Sequence, residues 1–387
     1  MPIRNSFAES LPEITAWRRD IHQHPELNFD THRTAALVAE KLRAFGCDEV
    51  VEGIGRTGVV GVIKGRKDGS GKIVGLRADM DALPIEEATG ADHASATPGV
   101  MHACGHDGHT AMLLGAAQYL CETRNFDGTA IVIFQPAEEG GGGGRVMCED
   151  GLMERFGIQE VYGMHNWPGV PVGSFAIRAG GFFASTDQFD VVIRGKGAHA
   201  AKPNDGIDPV VIAAQMVTAL QTIASRNVDP VEQVVCTVTA IHSDGDAYNV
   251  IPASARIRGT IRTLNPDVRM QAKARLEEIC AGVAATFGAT VETDYELGYP
   301  VMVNHPDQTE FAADVARDVA GACAEAPLVM GGEDFAYMLE ERPGAYILVG
   351  NGDTAQVHHP EYDFNDDAIP AGCSWWAGVV EKRMPLG

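Results

Sequence analysis

The chain has 387 residues, 45% apolar and 21% charged, with a formal net charge of −23. That length exceeds one ordinary core and fits two domains. So much negative charge speaks against a nucleic-acid or anionic-membrane partner, and no apolar run approaches the ~18 residues of a membrane span.

The segment Met1-Pro2-Ile3-Arg4-Asn5-Ser6 shows no apolar signal region, and eight cysteines lie scattered without paired spacing. Both features predict a cytoplasmic protein without a disulfide framework. Helical periodicity covers 14–20 and 34–45, split by a turn at His24-Pro25-Glu26 that reads as structural. Short apolar runs at 58–63, 72–77 and 129–134 read as buried strands, with a helix at 109–123 between the last two. Such alternation predicts an α/β domain with a parallel or mixed sheet, whose ligands gather where strands end. Asp79, Cys104, His106 and Glu138-Glu139 fall at those ends.

The pattern changes after about residue 184. A half-exposed strand at 186–196 leads to a helix at 209–225, strands at 234–241 and 253–263, a helix at 266–287 and a strand at 290–297. This is the β-α-β-β-α-β order of a ferredoxin-like layer. The α/β character resumes near 300, with a helix at 310–322. The chain therefore divides into a first catalytic part (1–184), an inserted domain (185–297) and a second catalytic part (298–387).

Met101-His102-Ala103-Cys104-Gly105-His106-Asp107 sets a thiol and an imidazole two residues apart, in a segment too rich in polar groups for core. The plain alternative is a buried cysteine with a helix-terminal histidine, but a thiolate, imidazoles and carboxylates together suit Zn²⁺, Mn²⁺, Co²⁺ or Ni²⁺. Glu138 and Glu139 are adjacent carboxylates that repel unless cations lie between them; a solvated acidic turn is the alternative. The glycines at 140–144 would let backbone approach a substrate. His165 ends another apolar run and, alone, reads as a hydrogen-bonded core histidine. Either His358 or His359 offers an imidazole, and residue chemistry does not choose between them. The other cysteines (Cys47, Cys121, Cys148, Cys236, Cys280, Cys323 and Cys373) read as small core residues.

Taken together, Arg77-Ala78-Asp79-Met80-Asp81-Ala82-Leu83-Pro84, the Cys104 segment, Gln135-Pro136-Ala137-Glu138-Glu139, Gly331-Gly332-Glu333-Asp334-Phe335 and His358-His359-Pro360 resemble the M20 metallopeptidase family. Within it, the chain resembles the subgroup of hippurate hydrolases, auxin-conjugate amidohydrolases and related N-acyl-amino-acid amidohydrolases, over practically its whole length. The resemblance implies two divalent ions on Cys104, His106, Glu139, His165 and His358, with Cys104 bridging. Glu138 is then the general base, taking a proton from activated water and passing it to the leaving amine. Relatives outside the subgroup carry His-x-Asp where this chain has Asp79-Met80-Asp81, so Asp81 is expected to orient an imidazole and Asp79 is left without a role. His109 is expected to support the helix or the ligands.

The resemblance also implies that the inserted domain mediates dimerisation. It makes His199 a stabiliser of the oxyanion in the partner's site, and Asn249 and Arg262 a grip on the substrate carboxylate. As plain loop or strand residues, all three would simply satisfy nearby backbone. The implied protein is a homodimer or higher homo-oligomer acting on a small N-acyl amino acid, hippurate first. An N-acetyl-amino-acid or N-acetyl-diaminopimelate deacetylase is the alternative. The rival of another class is a non-catalytic metal- or ligand-binding relative, from which retention of Glu138 distinguishes this chain.

Overall fold

The computed structural model describes residues 5–387 and separates into two compact units. The first comprises residues up to Gly180 with Val303–Pro327 and Asp334–Gly387; the second comprises Gly181–Met302 and Leu328–Glu333.

In the first unit, helices α1 (Asn5–Gln23) and α2 (His32–Phe45) precede strands β1 (Glu49–Ile54), β2 (Gly58–Lys64) and β3 (Ile73–Asp79). Helix α3 (His106–Thr123), β4 (Thr129–Gln135), β5 (Glu160–Pro168) and β6 (Phe175–Ile177) follow. The turn at His24-Pro25-Glu26 is structural, as expected. The Glu26 carboxylate accepts the backbone N–H groups of Arg33 and Thr34, both at 2.8 Å, and so satisfies the first turn of α2.

The sheet runs β1-β2-β4-β3-β5, then Gly344–Gly352, β6 and Ala324–Glu325. Pairing is antiparallel at β1–β2–β4 and parallel at β4–β3–β5 and from β5 to Gly344–Gly352. It is a mixed sheet. Strands β2 to β5 and Gly344–Gly352 are apolar on both faces because both faces are buried. Trp375, Trp376, Leu113, Leu114 and Ile14 join them in one core. Parallel pairing brings the C-terminal ends of β3, β4 and β5 to one edge, and there lie Asp79, Gln135 and His165.

The second unit has a four-stranded antiparallel sheet in the order Val234–Ser243, Ser254–Thr263, Asp187–Arg194, Thr290–Glu296. Helices Pro209–Leu220 and Pro266–Thr286 pack against it, each opened by a proline at its first turn and a side-chain cap, Asp208 and Asn265. Alternation along Asp187–Arg194 sends Phe189, Val191 and Ile193 into a separate core with Ile212, Met216, Ile257 and Leu276.

Among the described residues no helix is long and apolar enough to cross a membrane. The core reading of the cysteines holds for Cys121, Cys236, Cys280 and Cys373; Cys47 and Cys323 pack at the margin of the first core, partly exposed, as is Cys148. Apolar neighbours in sequence do not reveal that Cys47 sits just beyond the end of α2, or Cys323 just beyond the helix Pro306–Ala320.

Candidate metal centre

The site of the first unit is built from loops that leave four sheet-edge positions. Cys104 precedes α3 and His106 opens it; Glu138 and Glu139 follow β4; His165 lies within β5; His358 follows the strand Gly344–Gly352. These loops interlock through backbone bonds. The His358 N–H donates to the Ala103 carbonyl at 2.7 Å, and both Glu138 and Glu139 donate their N–H groups to the Asp81 carboxylate, at 2.9 and 3.1 Å. Two non-glycine residues here, Ala137 (φ 56°) and His358 (φ 66°), hold left-handed conformations. Such strain costs about 1–3 kcal/mol each and gathers at functional sites.

Two groups of potential ligand atoms share one member. Those of Cys104, His106 and His165 lie within 4.8 Å of one another, and so do those of Cys104, Glu139 and His358. Cys104 Sγ is 3.3 Å from His165 Nε2, and Glu139 Oε1 is 3.2 Å from His358 Nε2 and 3.8 Å from His106 Nε2. His165 donates from Nδ1 to the Asn166 carbonyl at 2.5 Å, which leaves the Nε2 lone pair facing the thiol. The Asp81 carboxylate, 3.4 Å from His106 Nδ1, backs the ring on the side away from Glu139. A carboxylate behind a ligating imidazole fixes its orientation and tautomer.

Neither ring nitrogen of His106, which is fully buried, nor Glu139 Oε1 has a partner in good hydrogen-bond geometry: the nearest contacts are the ion-pair approaches of 3.4 Å from Asp81 and 3.2 Å from His358. Buried polar atoms are rarely left so. A sulfur, imidazole and carboxylate set converging on these atoms fits a divalent ion in chemistry as well as in geometry.

The electrostatics agree. Burial, the largest influence on His106, pulls its pKa down, yet Asp79, Asp81 and Glu139 outweigh it and lift the ring to about 10. Burial, then Glu139 and Glu138, pushes the Cys104 thiol well above its usual range. Burial together with the His109 ring holds His165 well below the usual imidazole range. Protons on Cys104 and His106 thus hold positions that a cation would compete for.

Glu138 is nearly buried, at 7% exposure, and its potential ligand atom lies within 4.8 Å of those of His106 and Glu139. Its Oε1 accepts the Asp334 N–H at 3.3 Å. The glycine run at 140–144 divides in two. Gly143 and Gly144 open a short helix, Gly143–Glu149, and a Cβ at Gly143 would stand 1.7 Å from the Pro136 carbonyl oxygen. Gly141, Gly143 and Gly144 thus serve packing, whereas a Cβ at Gly140 (φ 123°) would meet open space.

His199, Asn249 and Arg262 lie in the second unit. His199 is exposed and accepts the Ala201 N–H on Nδ1 at 3.0 Å; the Asn249 carbonyl accepts the Ala200 N–H at 3.0 Å. Arg262 is half-buried on the strand Ser254–Thr263. Two residues without an assigned ligand role prove to be central to the first unit's site. Asp79 is bonded to Arg77 and His109, and Asn166 to Cys104 and Tyr362. Asp79's place beside the Arg77 charge was visible in sequence; Asn166 carried no signal.

An α/β unit with a thiol, imidazoles and paired carboxylates at its strand ends defines a metal-dependent hydrolase. Residues 75–382 match the family model described as peptidase family M20/M25/M40, and the chain belongs to that family. It is 41% identical over 376 residues to hippurate hydrolase of Campylobacter jejuni, spanning 96% of this chain and 97% of that protein. It is 37% identical over 368 residues to N-acetylcysteine deacetylase of Bacillus subtilis, spanning 94% of each. A crystal structure from Bacillus subtilis, described as a dinuclear metal binding peptidase from the M20 family, matches with a TM-score of 0.86 at 33% identity, over 97% of this chain and 99% of that one.

Proposed function

We propose that this protein hydrolyses the amide bond of N-acyl amino acids, releasing a carboxylic acid and a free amino acid. The observation that carries the reading is Glu138: an almost buried carboxylate beside the candidate ligands His106 and Glu139, with one oxygen held by the Asp334 N–H. Relatives named for hippurate and for N-acetylcysteine support the substrate class, since both names describe an amide on the nitrogen of an amino acid.

Two divalent ions would be held by His106, His165, Glu139 and His358, and the membership of Cys104 in both ligand groups supports its serving both. When bound, such ions lower the pKa of water and polarise a carbonyl oxygen. Glu138 takes the proton that water loses as its oxygen adds to the acyl carbon. It returns that proton to nitrogen as the C–N bond breaks, so that the amine leaves neutral. The Asp334 N–H holds one Glu138 oxygen, and Asp81, bonded to the N–H groups of Glu138 and Glu139, fixes the turn that presents them. His199 as donor to the oxyanion, and Asn249 and Arg262 as the grip on the substrate carboxylate, are roles read from the family resemblance. So are the homodimer and a site completed by a second copy. A reducing, cytoplasmic setting suits a working thiol at Cys104.

The test is glycine release from N-benzoylglycine by chelator-stripped protein reloaded with Mn²⁺, Zn²⁺, Co²⁺ or Ni²⁺. Glu138→Gln is expected to bind metal as the parent does and to lose roughly 10²–10⁴-fold in kcat. Parent-like turnover by Glu138→Gln would remove the mechanism. Release from N-acetyl amino acids but not from N-benzoylglycine would move the substrate to the deacetylase reading, which the Bacillus subtilis relative favours.

A further inference from the structure

We infer that Asp79 is a positioning residue: through His109 and Asn166 it sets both the loop that carries Cys104 and the ring orientation of His165. The inference rests on the metal-dependent reading of this site but concerns residues outside its ligand set.

Asp79 ends β3 and is fully buried. Its Oδ1 accepts from His109 Nδ1 at 2.6 Å, its Oδ2 accepts from Arg77 Nη1 at 2.7 Å, and its carbonyl oxygen accepts from the Thr110 hydroxyl at 2.7 Å. Arg77 is in turn held by Gln135 and Asp334, both at 2.9 Å. Asp79 Oδ2 lies 3.8 Å from His106 Nε2, close enough to invite a ligand role. The two strong donors already on its oxygens, one of them a buried guanidinium, argue for the other assignment.

The partners also assign the His109 tautomer. Its Nε2 accepts the Asn166 backbone N–H at 2.9 Å, so the proton sits on Nδ1 and points at Asp79. Asn166 then reaches both ligands. Its Nδ2 donates to the Cys104 carbonyl at 2.6 Å, while its own carbonyl accepts from His165 Nδ1 at 2.5 Å and so directs His165 Nε2 to the thiol. The Tyr362 hydroxyl closes the arrangement by donating to Asn166 Oδ1 at 2.6 Å. Gly105 makes this approach possible. It has φ 88°, and a Cβ there would lie 2.2 Å from Asn166 Nδ2 and 2.5 Å from the Tyr362 oxygen.

Asp79→Asn keeps the size and removes one acceptor. An amide N–H₂ facing His109 drives the ring proton to Nε2, where it meets the Asn166 N–H. The probe is Mn²⁺ alone, titrated calorimetrically into stripped protein, with ¹⁵N NMR reporting the His109 tautomer. Asp79→Asn is expected to weaken Mn²⁺ binding about 10–100-fold, the range for loss of an outer partner of a ligand, with the His109 proton moved to Nε2. His109→Phe, which leaves Asp79 in place, is expected to weaken binding likewise, and it carries the test alone should Asp79→Asn not fold. Thr110→Val, which leaves the relay intact, is expected to bind as the parent does. Parent-like Mn²⁺ binding by Asp79→Asn, or weak binding by it beside parent-like binding by His109→Phe, overturns the inference; the second result makes Asp79 a ligand. Because the readout is metal affinity, a failed relay and a failed hydrolase reading remain distinguishable: Glu138→Gln reports on the latter by turnover.

Discussion

Both ring nitrogens of His22 face carboxylates, Nδ1 at 2.8 Å from Asp107 and Nε2 at 3.3 Å from Glu87. Burial, the largest influence, pulls His22 down, but Asp107 and Glu87 outweigh it and raise the ring from 6.5 to about 9. For Glu87 burial again opposes, and the bonds from His22 and Thr89 bring the carboxyl from 4.5 to about 2. A raised histidine contributes stability that is complete below 6.5 and lost as pH climbs through 9; a lowered carboxylate contributes above 4.5 and loses it as pH falls through 2. Thermal melting of chelator-treated protein should therefore plateau between about 4.5 and 6.5 and decline toward 9. Glu87→Gln should bring the upper decline to lower pH, and an unchanged upper arm would detach it from His22. At this scale the sequence was partly legible. The ligand types announce themselves by chemistry and spacing, whereas Asn166 and the task of Asp79 depend on partners 30 to 196 residues away.

Secondary elements were more readable, because each carries its own period and its own caps. The helix Pro266–Thr286 begins at an Asn cap and a proline, and the strand Asp187–Arg194 alternates cleanly. What ties those two together was not readable. Asp187, fully buried, accepts from Arg269 through both Nε and Nη2, from the Tyr295 hydroxyl at 2.8 Å and from the Gly298 N–H at 3.2 Å. It joins two strands and a helix of the second unit. Removing one partner of a buried ion pair costs about 3–5 kcal/mol, since the other charge is left without compensation. Asp187→Ala should lower the unfolding free energy by about that much in urea titrations, with metal affinity retained. A loss below about 1 kcal/mol would show that the pair holds nothing that packing does not.

The whole molecule has two cores, and among the described residues the candidate ligands Cys104, His106, Glu139, His165 and His358 all lie in the first unit. Binding to the native state stabilises what it touches. Hydrogen exchange should slow on Mn²⁺ loading in 102–107, 135–145 and 356–360 while the strands Asp187–Arg194 and Ser254–Thr263 keep their rates. Equal slowing in both units would mean that the ions act on more than their own loops. Length and the switch between helix-strand patterns made the presence of an insert legible. The strand Gly344–Gly352 gave no such sign. It is buried on both faces, so it shows no alternation, and its neighbours β5 and β6 lie far back in the chain.

That strand has a consequence for how the protein is made. It lies between β5 and β6, yet follows both by more than 160 residues. At 5–20 residues per second the ribosome needs roughly 10–30 s to deliver it, and until then β5 presents a bare, apolar edge to the cell. The second unit's sheet is finished within that interval, since its four strands are contiguous between 187 and 296. The nascent chain therefore carries a folded domain hanging from an unfinished one, and the pace of translation through the insert sets how long the open edge must be shielded from other chains.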